Sequence, residues 1–193
     1  IACNADTFAT VVNSSTLGGD SSAFYPPFML DPRAPNRLLV GTCRVWRGPS
    51  DGQGWAAANA LSYNFDLSDS VACSPIARNM VRALAAGGPA TANGSQVIYA
   101  GTDAGRVLVT TNADGGPTTW ADRTGAINPG NYPISSIALD PADPTGRSAY
   151  LTIMGFTGDI GSGHVYRTLD AGATWVDLTA NLPDAPADAI GVD

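Results

Sequence analysis

Two of the four common charged residues are missing from this 193-residue chain. It has no lysine and no glutamate, so its ten cations are all Arg and its seventeen anions all Asp. Without lysine there is no amine for a Schiff base or for a phosphate-binding loop. Without glutamate, carboxylate chemistry falls to Asp alone. The two losses also remove the commonest surface helix formers, which argues against a helical protein. No apolar run approaches the ~20 residues that span a bilayer as a helix. A net charge of −7 with scattered Arg argues against nucleic acid as a partner. The sequence does not open with Met and carries no signal peptide, so it reads as starting inside something longer or already processed.

Histidine is nearly absent, with His164 alone, and cysteine is scarce: Cys3, Cys43 and Cys73. The three thiols lack CxxC spacing, which argues against zinc. Two readings stay open for them. One is a Cys43–Cys73 disulfide in an oxidising compartment with Cys3 left over; the other is three buried free thiols in a cytosolic protein. What is abundant is turn chemistry, with 22 Gly and 14 Pro beside many Ser, Thr, Asn and Asp. That mixture suits many short strands joined by turns, and 44% hydrophobic content is enough for a packed core.

The chain also repeats itself. Ile137 to Pro141, Ala149 to Thr152, His164 to Arg167 and Thr168 to Trp175 form one series. Val97 to Thr102, Arg106 to Val109, and Asp114 to Trp120 form a second. Met29 to Pro32, Leu38 to Thr42, Arg44 to Arg47, and Asp51 to Trp55 form a third. The tryptophans Trp55, Trp120 and Trp175 recur at intervals of 65 and 55 residues. Each unit has room for about four short strands, the size of a propeller blade with generous loops. Residues 79 to 87 read as a short helix or a strand. Thr7 to Val12 reads as the last strand of a preceding blade, and Ala189 to Asp193 as the first strand of a following one.

Thr168, Asp170, Gly172, Thr174 and Trp175 match the pattern Ser/Thr-x-Asp-x-Gly-x-Thr-Trp at every defined position. The chain thereby resembles the BNR/Asp-box repeat propellers of the sialidase-like and sortilin-like superfamily, in their bacterial secreted form. Asn181 to Pro186 is similar to the linker that follows the box in bacterial members. The second box, with Asp114 and Trp120, carries an insertion, and the first, with Asp51 and Trp55, is degenerate. The resemblance implies a structural motif on the outer turns, away from the face that carries function. In physical terms the Asp accepts backbone N–H groups of its own turn, Gly supplies a positive φ, and Trp buries its ring between sheets. A sialidase site is not implied, since that family relies on a Glu and on a Phe/Tyr-Arg-Ile-Pro motif that this sequence lacks.

His164 stands where the sister repeats have Arg44 and Arg106, so it reads as a polar strand position rather than a general base. Asp103, in Thr102-Asp103-Ala104-Gly105, is similar in context to a catalytic carboxylate of xyloglucan-hydrolysing propellers. Glycoside hydrolysis needs two carboxyl groups, and no second one is identifiable here. The glycine-rich stretch from Gly155 to Gly163 offers Phe156 to a ligand but reads as a flexible hairpin without the context of a phosphate loop. Asp66 and Asp69 in the link between the first two units offer oxygen ligands to calcium, with no EF-hand spacing. No Ser has a nucleophile-elbow setting.

The expectation is therefore an all-β, partial β-propeller of about three four-stranded antiparallel blades with Asp-box turns. Residues 1–23 would hold the last strand of a preceding blade and a linker. Residues 24–72, 73–130 and 131–186 would be blades, and 187–193 would open a following one, making the chain a piece of a larger ring. The expected function is an extracellular binding or scaffold module, secreted or periplasmic, that recognises a protein or polysaccharide and has no cofactor beyond calcium. The alternative is part of a glycoside hydrolase acting on β-glucan or xyloglucan with Asp103. Expected partners include missing blades, or further copies pairing through open edges.

Overall fold

The computed structural model describes residues 12–66, 72–74 and 76–193. The fold is all-β and propeller-like, with three antiparallel sheets that follow one another along the chain. The first contains β1 (Phe28–Asp31), β2 (Ala34–Gly41) and β3 (Val45–Pro49). The second contains β4 (Val81–Ala90), β5 (Ser95–Thr102), β6 (Val107–Thr110) and β7 (Trp120–Asp122). The third contains β8 (Ile134–Leu139), β9 (Ala149–Ile153), β10 (Val165–Thr168) and β11 (Val176–Asp177). Each sheet is a meander, so strands adjacent in sequence are adjacent in space.

The sheets stack face to face around their first strands, with β4 packed against both β1 and β8. Leu39, Val45, Val81, Ile98 and Leu108 fill the first junction, and Tyr99, Val109, Ile134, Leu151 and Tyr166 fill the second. The second sheet therefore has both faces covered. This explains why Val97 to Thr102 and Val107 to Thr110 are buried throughout instead of alternating. Residues 81 to 87, open between helix and strand on sequence, belong to β4, because Ala83, Ala85 and Ala86 sit against the neighbouring sheets.

The first sheet departs from the four-strand expectation. Beyond β3 the described residues form a single isolated bridge, Trp46 to Ala60. Residues 57–59 instead make one 3-10 turn, and the Asn59 side chain donates to the Arg47 carbonyl at 3.2 Å, where a paired strand would use its backbone. At the chain's beginning, the strand expected at Thr7 to Val12 lies, apart from Val12, outside the described residues. At the other end, residues 178–193 form no strand.

Tryptophan ties the sheets together. The Trp120 indole N–H donates to the Leu61 carbonyl of the first unit at 2.9 Å, and that of Trp175 to the Arg123 carbonyl of the second at 2.8 Å. Trp55 instead donates to its own Pro49 carbonyl at 2.9 Å and lies over Gly48, where a Cβ would collide with its ring.

Candidate functional site

The two ends of the sheets carry different chemistry. At one end lie the turns between third and fourth strands. Thr174 donates to Asp170 through its backbone N–H (2.8 Å) and its hydroxyl (2.7 Å), and Thr168 Oγ1 donates to Asp170 at 2.8 Å. Thr168 Oγ1 also accepts the Gly172 N–H at 2.9 Å. Gly172 sits at φ +80°, and a Cβ there would come within 2.9 Å of Arg123. These hydrogen bonds, that of the Thr174 hydroxyl foremost, hold the Asp170 carboxyl below the usual carboxylate range. Asp51 likewise accepts the Gln53 N–H of its own turn at 3.0 Å.

Asp114 behaves differently. Its carboxylate leaves its turn, pairs with Arg47 of the first sheet and accepts Asn93 Nδ2 at 3.1 Å. Asn112 takes the place two residues beyond Thr110 that Asp170 takes beyond Thr168, its N–H bonded to Thr110 Oγ1 at 3.1 Å. The lengthened turn, folded into two 3-10 segments, pushes Asp114 outward to the junction. Arg47 also donates to the Ser95 carbonyl at 3.2 Å and lies 3.6 Å from Asp31. Asp31 in turn accepts the Ser95 N–H and, at 2.6 Å, its hydroxyl. This buried cluster joins two sheets.

Cys43 and Cys73 are joined in a disulfide, with Cα atoms 6.1 Å apart, and Cys3 lies outside the described residues. Asp20 stands beside the two sulfurs, the one cluster of potential metal ligands among the described residues. With the sulfurs joined, and the carboxylate taken by Arg44, Thr42 and the Cys73 N–H, that cluster is closed to a cation. Asp66 accepts the N–H groups of Arg78 and Asn79 at 3.1 Å each, so it fastens the link between units; Asp69 lies outside the described residues.

The three sister positions are each engaged by contacts within the fold. Arg44 pairs with Asp20, and Arg106 bonds Asp122 (2.9 Å) and the Phe65 carbonyl (2.6 Å). His164 Nε2 lies 3.0 Å from Thr157 Oγ1 and 3.2 Å from Asp184. The stretch from Gly155 to Gly163 contains α1 (Thr157–Ile160), a single turn pinned by the fully buried Ile160, with Phe156 half exposed beside it.

The opposite end, where β4 and β8 begin, holds a cleft of about 570 Å³. Asp103 enters it from the turn between β5 and β6, positioned by its N–H bond to the Met80 carbonyl at 2.9 Å. Arg82 at the start of β4 donates to the Asp103 carboxylate at 3.0 Å, with both side chains partly exposed. Ser135 of β8 and the Phe24–Tyr25 pair complete its walls. The two rings meet edge to face at 4.7 Å, and at 89% and 84% exposure both are free to contact a ligand. Of these residues the sequence had singled out Asp103 alone. The visible signal for the aromatic wall was Phe24-Tyr25-Pro26-Pro27, where two prolines supply no N–H to a strand ladder and the rings fall before β1, outside the sheet.

No protein-family model and no curated protein matches the chain. Among solved structures, it is similar to the GH74 enzyme of Niastella koreensis, with a TM-score of 0.55 and 17% identity over 84% of this chain. The match covers 23% of that enzyme, so the chain spans under a quarter of its length. At this identity the two share a fold, and that fold is the partial, propeller-like stack of antiparallel sheets.

Proposed function

We propose that this chain is the polysaccharide-recognising part of an extracellular or periplasmic propeller, with its ligand seated in the cleft between Phe24–Tyr25 and Arg82–Asp103. The observation that carries this reading is the make-up of the cleft. Two solvent-facing rings offer apolar faces to the C–H surfaces of a sugar, and a guanidinium–carboxylate pair offers donors and acceptors to its hydroxyls. The disulfide suits an oxidising compartment. The cleft's described lining holds one carboxylate, which fits binding better than hydrolysis by this chain alone.

The test is affinity electrophoresis of the protein in soluble β-glucans, xyloglucan included. Joint replacement of Phe24 and Tyr25 by Ala should weaken retardation about ten-fold or more, since losing two stacked rings costs on the order of 1–2 kcal/mol. Full binding by the double variant would overturn the reading. A second reading makes Asp103 one of the two carboxyls of a glycoside hydrolase, favoured by the GH74 enzyme among similar folds. Release of reducing ends by a protein containing this chain, abolished by Asp103→Asn, would support it; hydrolysis that survives the substitution would remove it.

A further inference from the structure

The links that leave the first and second sheets are held in the same way, which sets them in register with each other. The Leu61 N–H donates to the Val45 carbonyl at 2.8 Å, and the Arg123 N–H to the Val107 carbonyl at 2.7 Å. One residue on, the Ser62 hydroxyl accepts the Val45 N–H and the Thr124 hydroxyl the Val107 N–H, each at 2.9 Å. The Leu61 and Arg123 carbonyls then receive the indole N–H groups of Trp120 and Trp175. In this register Gly125 stands at the place of Tyr63, and Ile127 at the place of Phe65.

The exchange uncovers a tryptophan. In the first link Phe65 packs on Trp120 with ring centroids 5.4 Å apart, Tyr63 backs it, and Trp120 is buried. In the second link a Cβ on Gly125 would meet nothing within 4 Å beyond its chain neighbours, and Trp175 stays partly exposed. A cavity of about 300 Å³ opens there, walled by Trp175, Ile127, Gly125, Thr174, Asp122 and Arg123. None of these residues lines the Phe24–Tyr25 cleft. The charge of Asp122 is met by Arg106 at 2.9 Å. The Arg123 side chain, in the place of Leu61, makes no hydrogen bond or ion pair among the described residues.

We propose that this cavity binds a uronic acid unit of an acidic saccharide. The C–H face of the sugar lies against Trp175 as the Phe65 ring lies against Trp120. The Thr174 hydroxyl and the Asp122 carboxylate accept from its hydroxyls, and its carboxylate pairs with the Arg123 guanidinium. A neutral sugar would leave that guanidinium without an anion, and an aromatic acid would leave Thr174 and Asp122 without donors. The volume stands at the lower end of the range for small-molecule sites, about 300–1,000 Å³, which suits a single ring. The assignment does not depend on what the Phe24–Tyr25 cleft holds.

Isothermal titration of the 193-residue chain with trigalacturonate tests this, at about 0.15 M salt to screen the net charge of −7. Saturable binding is expected, with the neutral cellotriose at least about ten-fold weaker. Arg123→Gln, an exposed change, should weaken trigalacturonate about ten-fold or more and move Tm by less than about 1 °C. Ile127→Phe, which restores the ring of the first link, should abolish binding; if this core change costs the fold, Arg123→Gln alone decides. Joint replacement of Phe24 and Tyr25 by Ala should leave trigalacturonate binding unchanged. The proposal fails if millimolar trigalacturonate does not bind, if cellotriose binds as tightly, or if Arg123→Gln binds at full strength. Loss of binding in the Phe24 and Tyr25 variant would move the uronate to the cleft and overturn it. Displacement by benzoate as readily as by galacturonate would make the ligand an aromatic acid, with the same result.

Discussion

The Thr145 hydroxyl and the N–H groups of Thr145, Arg147 and Ser148 all point at Asp143, holding its carboxyl far below the usual carboxylate range. Asp170 is held down in the same way by Thr174, and Asp122 by Thr124 and Arg106 against the opposing effect of partial burial. A depressed folded-state pKa adds stability above the unfolded value of 3.8, and that stability is lost as pH falls through the folded value. The urea midpoint should therefore hold above about pH 5 and fall steadily below about pH 4. In Asp143→Asn the midpoint should be lower at pH 7 and the acid decline shallower; an unchanged decline would deny Asp143 this part. Much at this scale was visible in the residue order, because the turn from Thr168 to Trp175 is held by residues within itself. Asp114 misled because its partner Arg47 lies 67 positions away, a relation that spacing within one turn does not contain.

At the scale of elements, the junction between the first two sheets rests on a buried charge cluster rather than on apolar packing alone. Arg47, almost wholly buried, faces Asp31 and Asp114 together. Removing one member of a buried set leaves the others desolvated and unpaired, at about 3–5 kcal/mol. Arg47→Met should therefore destabilise by about 3 kcal/mol in urea unfolding. Asp114→Ala should cost distinctly less, because the buried Arg47 keeps Asp31 and the Ser95 carbonyl as partners, and the lost carboxylate was itself a quarter exposed. Comparable losses would mean that the cluster is not centred on Arg47. The sheets themselves were legible from the repeating order of apolar runs and turns. The lack of a fourth strand in the first sheet among the described residues was not, since it depends on where Asn59 finds its hydrogen bonds.

For the whole molecule, repetition made the stack readable and hid the cleft. A repeat shows what every unit shares, whereas Arg82, Ser135, Phe24 and Tyr25 do not recur and come together only once the sheets are stacked. The Cys43–Cys73 bridge closes a 30-residue span between the first sheet and the approach to the second. By loop entropy, replacing both cysteines with Ser should cost about 3.5 kcal/mol. Equilibrium unfolding of the oxidised protein and of the double variant measures it; a difference below about 1 kcal/mol would show that other contacts already hold the span. The placement of the indoles has a consequence for observing the molecule at work. Trp120 reports on the first junction and Trp175 on the second, while Trp46 and Trp55 sit together in the first unit. With three of the four changed to Phe in turn, the emission of the remaining ring becomes an optical gauge of one seam. The order in which the stack comes apart could then be watched, seam by seam, in an ordinary fluorimeter.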